Sequence, residues 1–254
     1  MSRDFTLDKY SELLDVLKSN YTTQRVVDYL NSDEKNRKNI AILRHDVDKH
    51  PKMSLSVANL EHSKGIISTF YFRTVPEVLD IEIIKKIEKM GHEIGYHYEV
   101  LDKANGNIQE ALVLFRNELD EMRKVADVRT ACMHGSPMKK WRNLDIWKDA
   151  SPKDFGLIGE PFLSIDYSKV RYYTDTGRRW DGEKYSIDDH VEQTKDHTVR
   201  STDQLISIIE KKIHNQMLIQ THPQRWTDST GKWMKELVGQ NVKNVGKRAL
   251  KSKN

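Results

Sequence analysis

The residues with the clearest chemical potential are Arg44-His45-Asp46-Val47-Asp48, which follow directly on the apolar run Ile40-Ala41-Ile42-Leu43. A buried strand running into two carboxylates poses an electrostatic problem. Burying an ionised carboxylate costs several kcal/mol unless the group is paired or holds a metal. The compensating cation expected here is a metal ion, Arg44, or both. Three later apolar segments end in the same way. Glu93 to Tyr96 leads to His97 with Glu99 beyond, Thr130 to Met133 leads to His134, and Met217 to Gln220 leads through Thr221 to His222. Parallel α/β folds carry their functional residues at strand C-terminal ends, where these ends converge on one crevice.

Carboxylates and imidazoles arriving together from four strands suit a divalent metal. An oxygen-and-nitrogen set without thiolate fits zinc, with Mn²⁺, Co²⁺ and Fe²⁺ as alternatives. Zinc held by three protein groups keeps a position open for water and lowers its pKa to roughly 7. A carboxylate base, a histidine acid and an oxyanion site of metal plus backbone N–H would then hydrolyse an amide or ester. Each residue also has a plainer explanation. Asp48 could cap the next helix, His134 before Gly135 could be a turn residue, and His222 before Pro223 could be a core histidine.

The alternation of side chains along a strand points His45 away from Asp46, into packing. His92 and Glu93 stand at the start of a strand, the wrong end for chemistry, and read as structural. Cys132 reads as core. His50, His62, His190, His197 and His214 read as solvated.

The elements that would position these groups alternate between helix and strand. Phe5, Leu7, Tyr10, Leu13, Leu14 and Leu17 have helical spacing, and the polar stretch from Asn31 to Asn39 is a loop. Strands are expected at Ile40–Leu43, Ile66–Phe72, Glu93–His97, Thr130–Met133 and Met217–Gln220, with weaker ones at Phe155–Ile158 and Val170–Thr174. Helices are expected from Lys52 to Lys64 and from Asp80, closed by Gly65 and Gly91, then over Asn107–Ala126 and from a Ser201 or Thr202 N-cap to Asn215. Repeated β-then-α units imply a parallel sheet with right-handed crossovers.

With 254 residues, 31% charged and 37% apolar, the chain has the size and composition of one well-solvated domain. No run approaches the roughly 20 apolar residues of a membrane span. The start, Met1 to Phe5, has no signal-like segment, and the single cysteine excludes an intrachain disulfide, so a cytoplasmic location is expected. The net charge of +4 is concentrated near the end, at Lys243, Lys247, Arg248, Lys251 and Lys253, and reads as a frayed basic tail. Aromatics are not interleaved with basic residues as in single-strand binders, so nucleic acid is not expected as a partner.

The ordered motifs resemble the polysaccharide deacetylase family of metal-dependent carbohydrate esterases, from about residue 40 to residue 226. His45-Asp46-Val47-Asp48 resembles its first motif, Ser68-Thr69-Phe70-Tyr71-Phe72 a following strand, and Gly91-His92-Glu93-Ile94-Gly95-Tyr96-His97 its second motif. His134-Gly135-Ser136-Pro137 stands where the third would lie. Asp175 to Trp180 resembles the fourth and Leu218 to Pro223 the fifth. The resemblance implies a distorted (β/α)7 barrel as a single domain over residues 1–254, with an N-terminal helical extension of about 1–38 and a basic C-terminal tail. It implies removal of an N-acyl group, acetyl first, from a sugar or glycan precursor in surface-polysaccharide biosynthesis. It assigns Asp46 as general base, Asp48 and His97 as metal ligands, and His222 as general acid.

Two departures carry consequences. The second-motif position that bears another histidine in such deacetylases is Leu101, so the remaining ligand falls to Glu99 or His134. The third-motif arginine is missing from its place, leaving Arg44 or Arg178-Arg179 to hold the base, and Val47 leaves open an exchange of roles between Asp46 and Asp48. Asp175 and Arg179 are expected to support the site. Trp180 and Trp226, with Tyr172 and Tyr173, could stack on sugar, and Arg225 could grip a phosphate or carboxylate of a nucleotide- or lipid-linked substrate. The rival expectations are a hydrolase of a non-sugar C–N bond, such as a ureide or cyclic imide, and a barrel that binds a glycan without hydrolysing it.

Overall fold

The computed structural model describes residues 3–136, 139–180, 191, 193 and 198–251, with backbone alone for 246–251. Pro137, His190 and His197 lie outside the described residues, as do Lys253 and the side chains of Lys247, Arg248 and Lys251. The chain opens with helix α1 (Leu7–Asn20), strand β1 (Thr22–Gln24) and helix α2 (Val26–Asn31). Next come β2 (Ile40–Val47), α3 (Pro51–Ser63), β3 (Thr69–Phe72), α4 (Ile81–Lys89) and β4 (Glu93–Tyr98). The short α5 (Val100–Lys103) and long α6 (Ile108–Arg123) lead to β5 (Ala131–Met133), α7 (Pro161–Ser164) and β6 (Arg171–Thr174). The chain ends with α8 (Thr202–Glu210), β7 (Gln216–Thr221) and α9 (Thr230–Lys251).

All seven strands are parallel in one sheet, ordered β5-β4-β3-β2-β7-β6, with β1 added beside the first half of β2. The sheet curls into a half-barrel with helices outside it. Among the described residues no ladder joins β5 to β6, so it is open on that side. The strand expected at Phe155–Ile158 is instead the end of a 3₁₀ turn closed by Gly156 at φ +66°, and only a single bridge, Thr130 to Gly159, continues the edge. The seventh strand is β1, from the N-terminal extension in which only a helix and a loop are expected. It pairs Thr22 with Ile40 and Gln24 with Ile42, which ties the N-terminal segment into the sheet.

Side-chain alternation divides the core into two. Ala41, Leu43, Phe70, Phe72, Ile94, Tyr96, Met217 and Ile219 point outward onto the helices and join Leu13, Leu14, Leu17, Ile84, Ile87 and Phe115. Ile40, Ile42, Tyr71, Cys132, Tyr172 and Leu218 point inward. Gly95 is required by this inner packing: a Cβ there would stand 2.3 Å from the ring of Tyr71 on the neighbouring strand. The helix ends follow local chemistry. Thr6, Asp80, Asn107 and Ser201 cap α1, α4, α6 and α8 through side-chain oxygens. Gly65 and Gly91 supply the left-handed turns after α3 and α4, at φ +69° and +92°.

The residues at the start of β4 are structural. Glu93 accepts from Thr69, Thr130 and the backbone N–H of Val27, and His92 Nδ1 accepts from the backbone N–H of Ser68 at 3.1 Å. His45 is wholly buried on the outer face of β2, between Thr221 at 2.6 Å and Glu61 of α3 at 2.9 Å. His214, expected to be solvated, bonds the Tyr173 hydroxyl at 2.9 Å. The basic stretch from Lys243 to Lys251 lies in the second half of α9.

Candidate metal and proton-transfer site

The inner register of β2 places Arg44 and Asp46 on the same face, two residues apart. Arg44 Nε donates to Asp46 Oδ1 at 2.8 Å and Arg44 Nη2 to Oδ2 at 2.7 Å, a bidentate pair sealed from solvent. Gln220, opposite Arg44 on β7, donates to the same carboxylate. Burial opposes ionisation of Asp46, yet Arg44 and then His97 hold its carboxyl below the usual range. Of Arg44 and the Arg178-Arg179 pair, it is Arg44 that holds Asp46. It leans over Tyr71 and Phe162, with Cζ 5.5 and 4.9 Å from the ring centres.

Asp48 lies just beyond the end of β2 and faces His97 and His134. One ligand atom from each of these three residues falls within 4.8 Å of the others, close enough to share a metal ion. His97 Nε2 is 3.4 Å from Asp48 Oδ1, and His134 Nε2 is 3.7 Å from the same oxygen. Two features beyond proximity fit this set to a cation. Asp48 Oδ1 is buried and, beyond the two imidazoles that face it, meets no hydrogen-bond donor among the described residues, which is costly for an anion. His97 Nδ1 stands 3.0 Å from the carbonyl of Cys132 on the adjoining strand. Donation there leaves the Nε2 lone pair aimed at Asp48, as in metal-bound histidines.

His134 follows β5, and its backbone N–H bonds the Tyr98 carbonyl at 2.7 Å, which brings it level with Glu99. Its Nδ1 stands 3.3 Å from Glu99 Oε2. Arg73, at the end of β3, clamps that oxygen at 2.7 Å and reaches the Asp48 carbonyl at 3.1 Å. Burial opposes ionisation of Glu99, but His134 and Arg73 bring its pKa down to about 2. Burial likewise works against charge on His134, and Glu99 and Asp48 reverse this so that its pKa rises. Glu99, Asp102 and His134 form a second possible group. There Asp102 is already engaged by Ser136, Trp141 at 2.7 Å and Asn143 at 3.0 Å. Leu101 is buried in the core.

On the other side of Asp48, His222 Nε2 is 3.7 Å from Oδ2. Its Nδ1 is 2.6 Å from Asp175 Oδ1. Asp175, just past β6, also accepts from the His222 backbone N–H at 2.9 Å, from the Trp226 indole at 2.9 Å and from Arg225. Burial opposes its charge, but Arg225 and His222 bring its pKa to about 2. For Asp48, burial is again outweighed, by His222 first, and its carboxyl is held well below the usual range.

Three expectations about substrate contacts are corrected. Trp180 and Trp226 are 0% and 1% exposed, pack against Phe5, and offer no face to a sugar. Arg225 is buried against Asp175 rather than turned outward. These side chains brace the base of the His222 loop instead. Arg179 is half-buried beside Trp180. Arg73, Gln220 and Gln224, which donates to Asp48 Oδ2 at 3.3 Å, were missed. Arg73 directly follows β3, so the same positional logic reaches it, whereas Gln224 lies in the 3₁₀ turn Pro223–Arg225 beyond β7.

The fold and site define a parallel α/β half-barrel whose strand C-termini carry a carboxylate–histidine cluster. No protein-family model matches the chain, and no curated protein does. Among solved structures the chain is similar to a CE4 esterase from Streptococcus mutans, at 15% identity and a TM-score of 0.46, over 94% of this chain and 91% of that one. It is also similar to a family 4 carbohydrate esterase from Bacillus anthracis, at 11% identity and a TM-score of 0.41, over 91% and 84%. A third is a CE4 family pseudoenzyme from Bacillus anthracis, at 17% identity and a TM-score of 0.41, with 82% of this chain covered. The chain spans 62% of that pseudoenzyme's length.

Proposed function

We propose that the chain is a metal-dependent hydrolase of the polysaccharide-deacetylase type, removing an acyl group from the nitrogen of a sugar or glycan precursor. The observation that carries the reading is the convergence of three devices on one rim. The Asp48–His97–His134 set spans 4.8 Å at most. Asp46 lies 3.7 Å from His97 on one side, and the Asp175-held His222 lies 3.7 Å from Asp48 on the other.

Asp48, His97 and His134 would hold the cation, with Glu99 orienting His134. Two imidazoles and a carboxylate suit zinc. When bound, such an ion acidifies water and polarises a carbonyl oxygen. Asp46 Oδ1 receives one donor, Arg44 Nε, and keeps a lone pair to take a proton from the attacking water. His222, its Nδ1 proton held by Asp175, carries its transferable proton on Nε2 and delivers it to the leaving nitrogen. An amide needs that protonation, because an amide anion is a poor leaving group. The substrate we favour is an N-acetylated sugar of a surface-glycan precursor.

The test is amine release from a panel of N-acetylated sugars by zinc-loaded and metal-stripped protein. Asp46→Asn and His222→Ala should each lower turnover by about 10² to 10⁴. Full activity in either variant, or in the stripped protein, defeats the proposal. Leu101, buried where such deacetylases bear a histidine, favours a second reading in which the half-barrel binds a glycan without hydrolysing it. Sugar binding with no turnover at any metal loading would select that reading.

A further inference from the structure

We propose that α9 is a docking surface for an anionic lipid bilayer. This does not depend on the hydrolase reading. The helix lies on the domain by a partly polar face. The Trp233 indole donates to the Asp4 carbonyl at 2.7 Å, and Asn244, bonded by Gln240 at 2.8 Å, donates to the Gly177 carbonyl at 3.2 Å. Trp233 and Leu237 are half-buried, but four other apolar residues are turned away from that face. Met234, Val238, Val242 and Val245 are 50%, 57%, 69% and 67% exposed. Their spacing of four, four and three residues places them on one stripe. A surface helix ordinarily buries such a stripe, whereas α9 leaves it in solvent.

Charge identifies the occupant. Between Thr230 and Lys251 the sequence carries Lys232, Lys235, Lys243, Lys247, Arg248 and Lys251 against the single acid Glu236. The whole chain has a net charge of only +4, so the helix holds its entire excess. An apolar stripe on a basic helix has both attractions of an interfacial helix, apolar insertion and pairing with acidic headgroups. A second copy of the chain would bring two strongly basic helices together with almost no acidic complement. A nucleic acid would use the lysines and leave the valines in water. The contact with Gly177, two residues past Asp175, places α9 beside the loop that holds His222.

The experiment is co-sedimentation of the full chain with phosphatidylcholine vesicles, with and without phosphatidylglycerol, at low and high salt. The wild type should pellet with the phosphatidylglycerol vesicles, less with pure phosphatidylcholine, and less at high salt. A Val238→Glu, Val242→Glu variant and a separate Lys232→Glu, Lys235→Glu, Lys243→Glu variant should each bind on the order of tenfold more weakly or worse. All these side chains are exposed, so unchanged thermal melting confirms that the variants are folded. Absence of wild-type pelleting, or equal pelleting by folded variants, overturns the proposal. A wild-type dimer in light scattering that Val238→Glu dissociates, without vesicle binding, also overturns it and assigns the stripe to a second copy.

Discussion

Replacing Arg44 by Met should cost about 3–5 kcal/mol, because it leaves the Asp46 carboxylate buried without its counter-charge. The two side chains are 0% and 3% exposed and joined by two hydrogen bonds of 2.7–2.8 Å, so water cannot take over the pairing. Two unit charges about 4 Å apart at an effective dielectric of 20 attract by about 4 kcal/mol, which agrees with that range. For a chain of this size, 1 kcal/mol shifts the melting temperature by roughly 2–4 °C, so a fall of about 10 °C is expected.

The pH dependence sharpens the test. In the wild type the depressed Asp46 carboxyl stabilises the fold above its unfolded pKa, and this is lost as pH falls through the folded value. Without Arg44, burial raises that carboxyl instead, so the penalty is full at neutral pH and relieved on acidification. Urea unfolding of metal-free protein should therefore show the deficit of Arg44→Met shrinking from pH 7 towards pH 4. Arg44→Met with Asp46→Leu should recover much of the loss at pH 7. A deficit below about 1 kcal/mol, or one independent of pH, would refute the assignment of Arg44 as the buried counter-charge.

Further expectations follow from the same geometry. Asp48→Ala or His97→Ala should abolish stoichiometric zinc retention after dialysis, whereas Glu99→Gln should weaken it by about 10- to 100-fold, as for a residue that orients a ligand; elemental analysis and competition with a chelator distinguish these. Asp175→Asn should flatten the acid limb of stability. The wild-type carboxyl titrates at about 2, so its contribution is present above the ordinary aspartate range and lost as pH falls towards 2, which acid titration by circular dichroism will follow. Gly95→Ala should destabilise by about 1–3 kcal/mol through collision with Tyr71, and Tyr71→Leu in the same chain should relieve much of that in urea titration.

The site was legible to the extent that it depends on position along strands. Asp46, Asp48, His97, His134 and His222 all fall at or just past the ends of short apolar runs, and parallel β–α order alone sends such ends to one rim. His45 could be excluded by alternation, and it does face Glu61 across the outer layer. The aromatic and arginine assignments failed for a physical reason. Trp180, Trp226 and Arg225 are residues that serve equally in a sugar cleft or in a buried brace, and only the packing of Phe5 and Asp175 against them separates the two. The strand β1 was invisible because Thr22-Thr23-Gln24 has no apolar pattern, its pairing being imposed by the exposed flank of Ile40–Ile42.

The sequence by itself determined the parallel α/β plan, the helix caps, and which residues would gather at the strand ends, because these follow from periodicity and local backbone chemistry. Only the tertiary structure decided their partners. It chose His134 beside Asp48, made Glu99 a neighbour of His134 clamped by Arg73, gave Asp46 to Arg44 on its own strand, and tied His222 to Asp175. Such choices depend on strand register and curl, which bring atoms far apart in the chain within a few ångströms, and no local spacing encodes them.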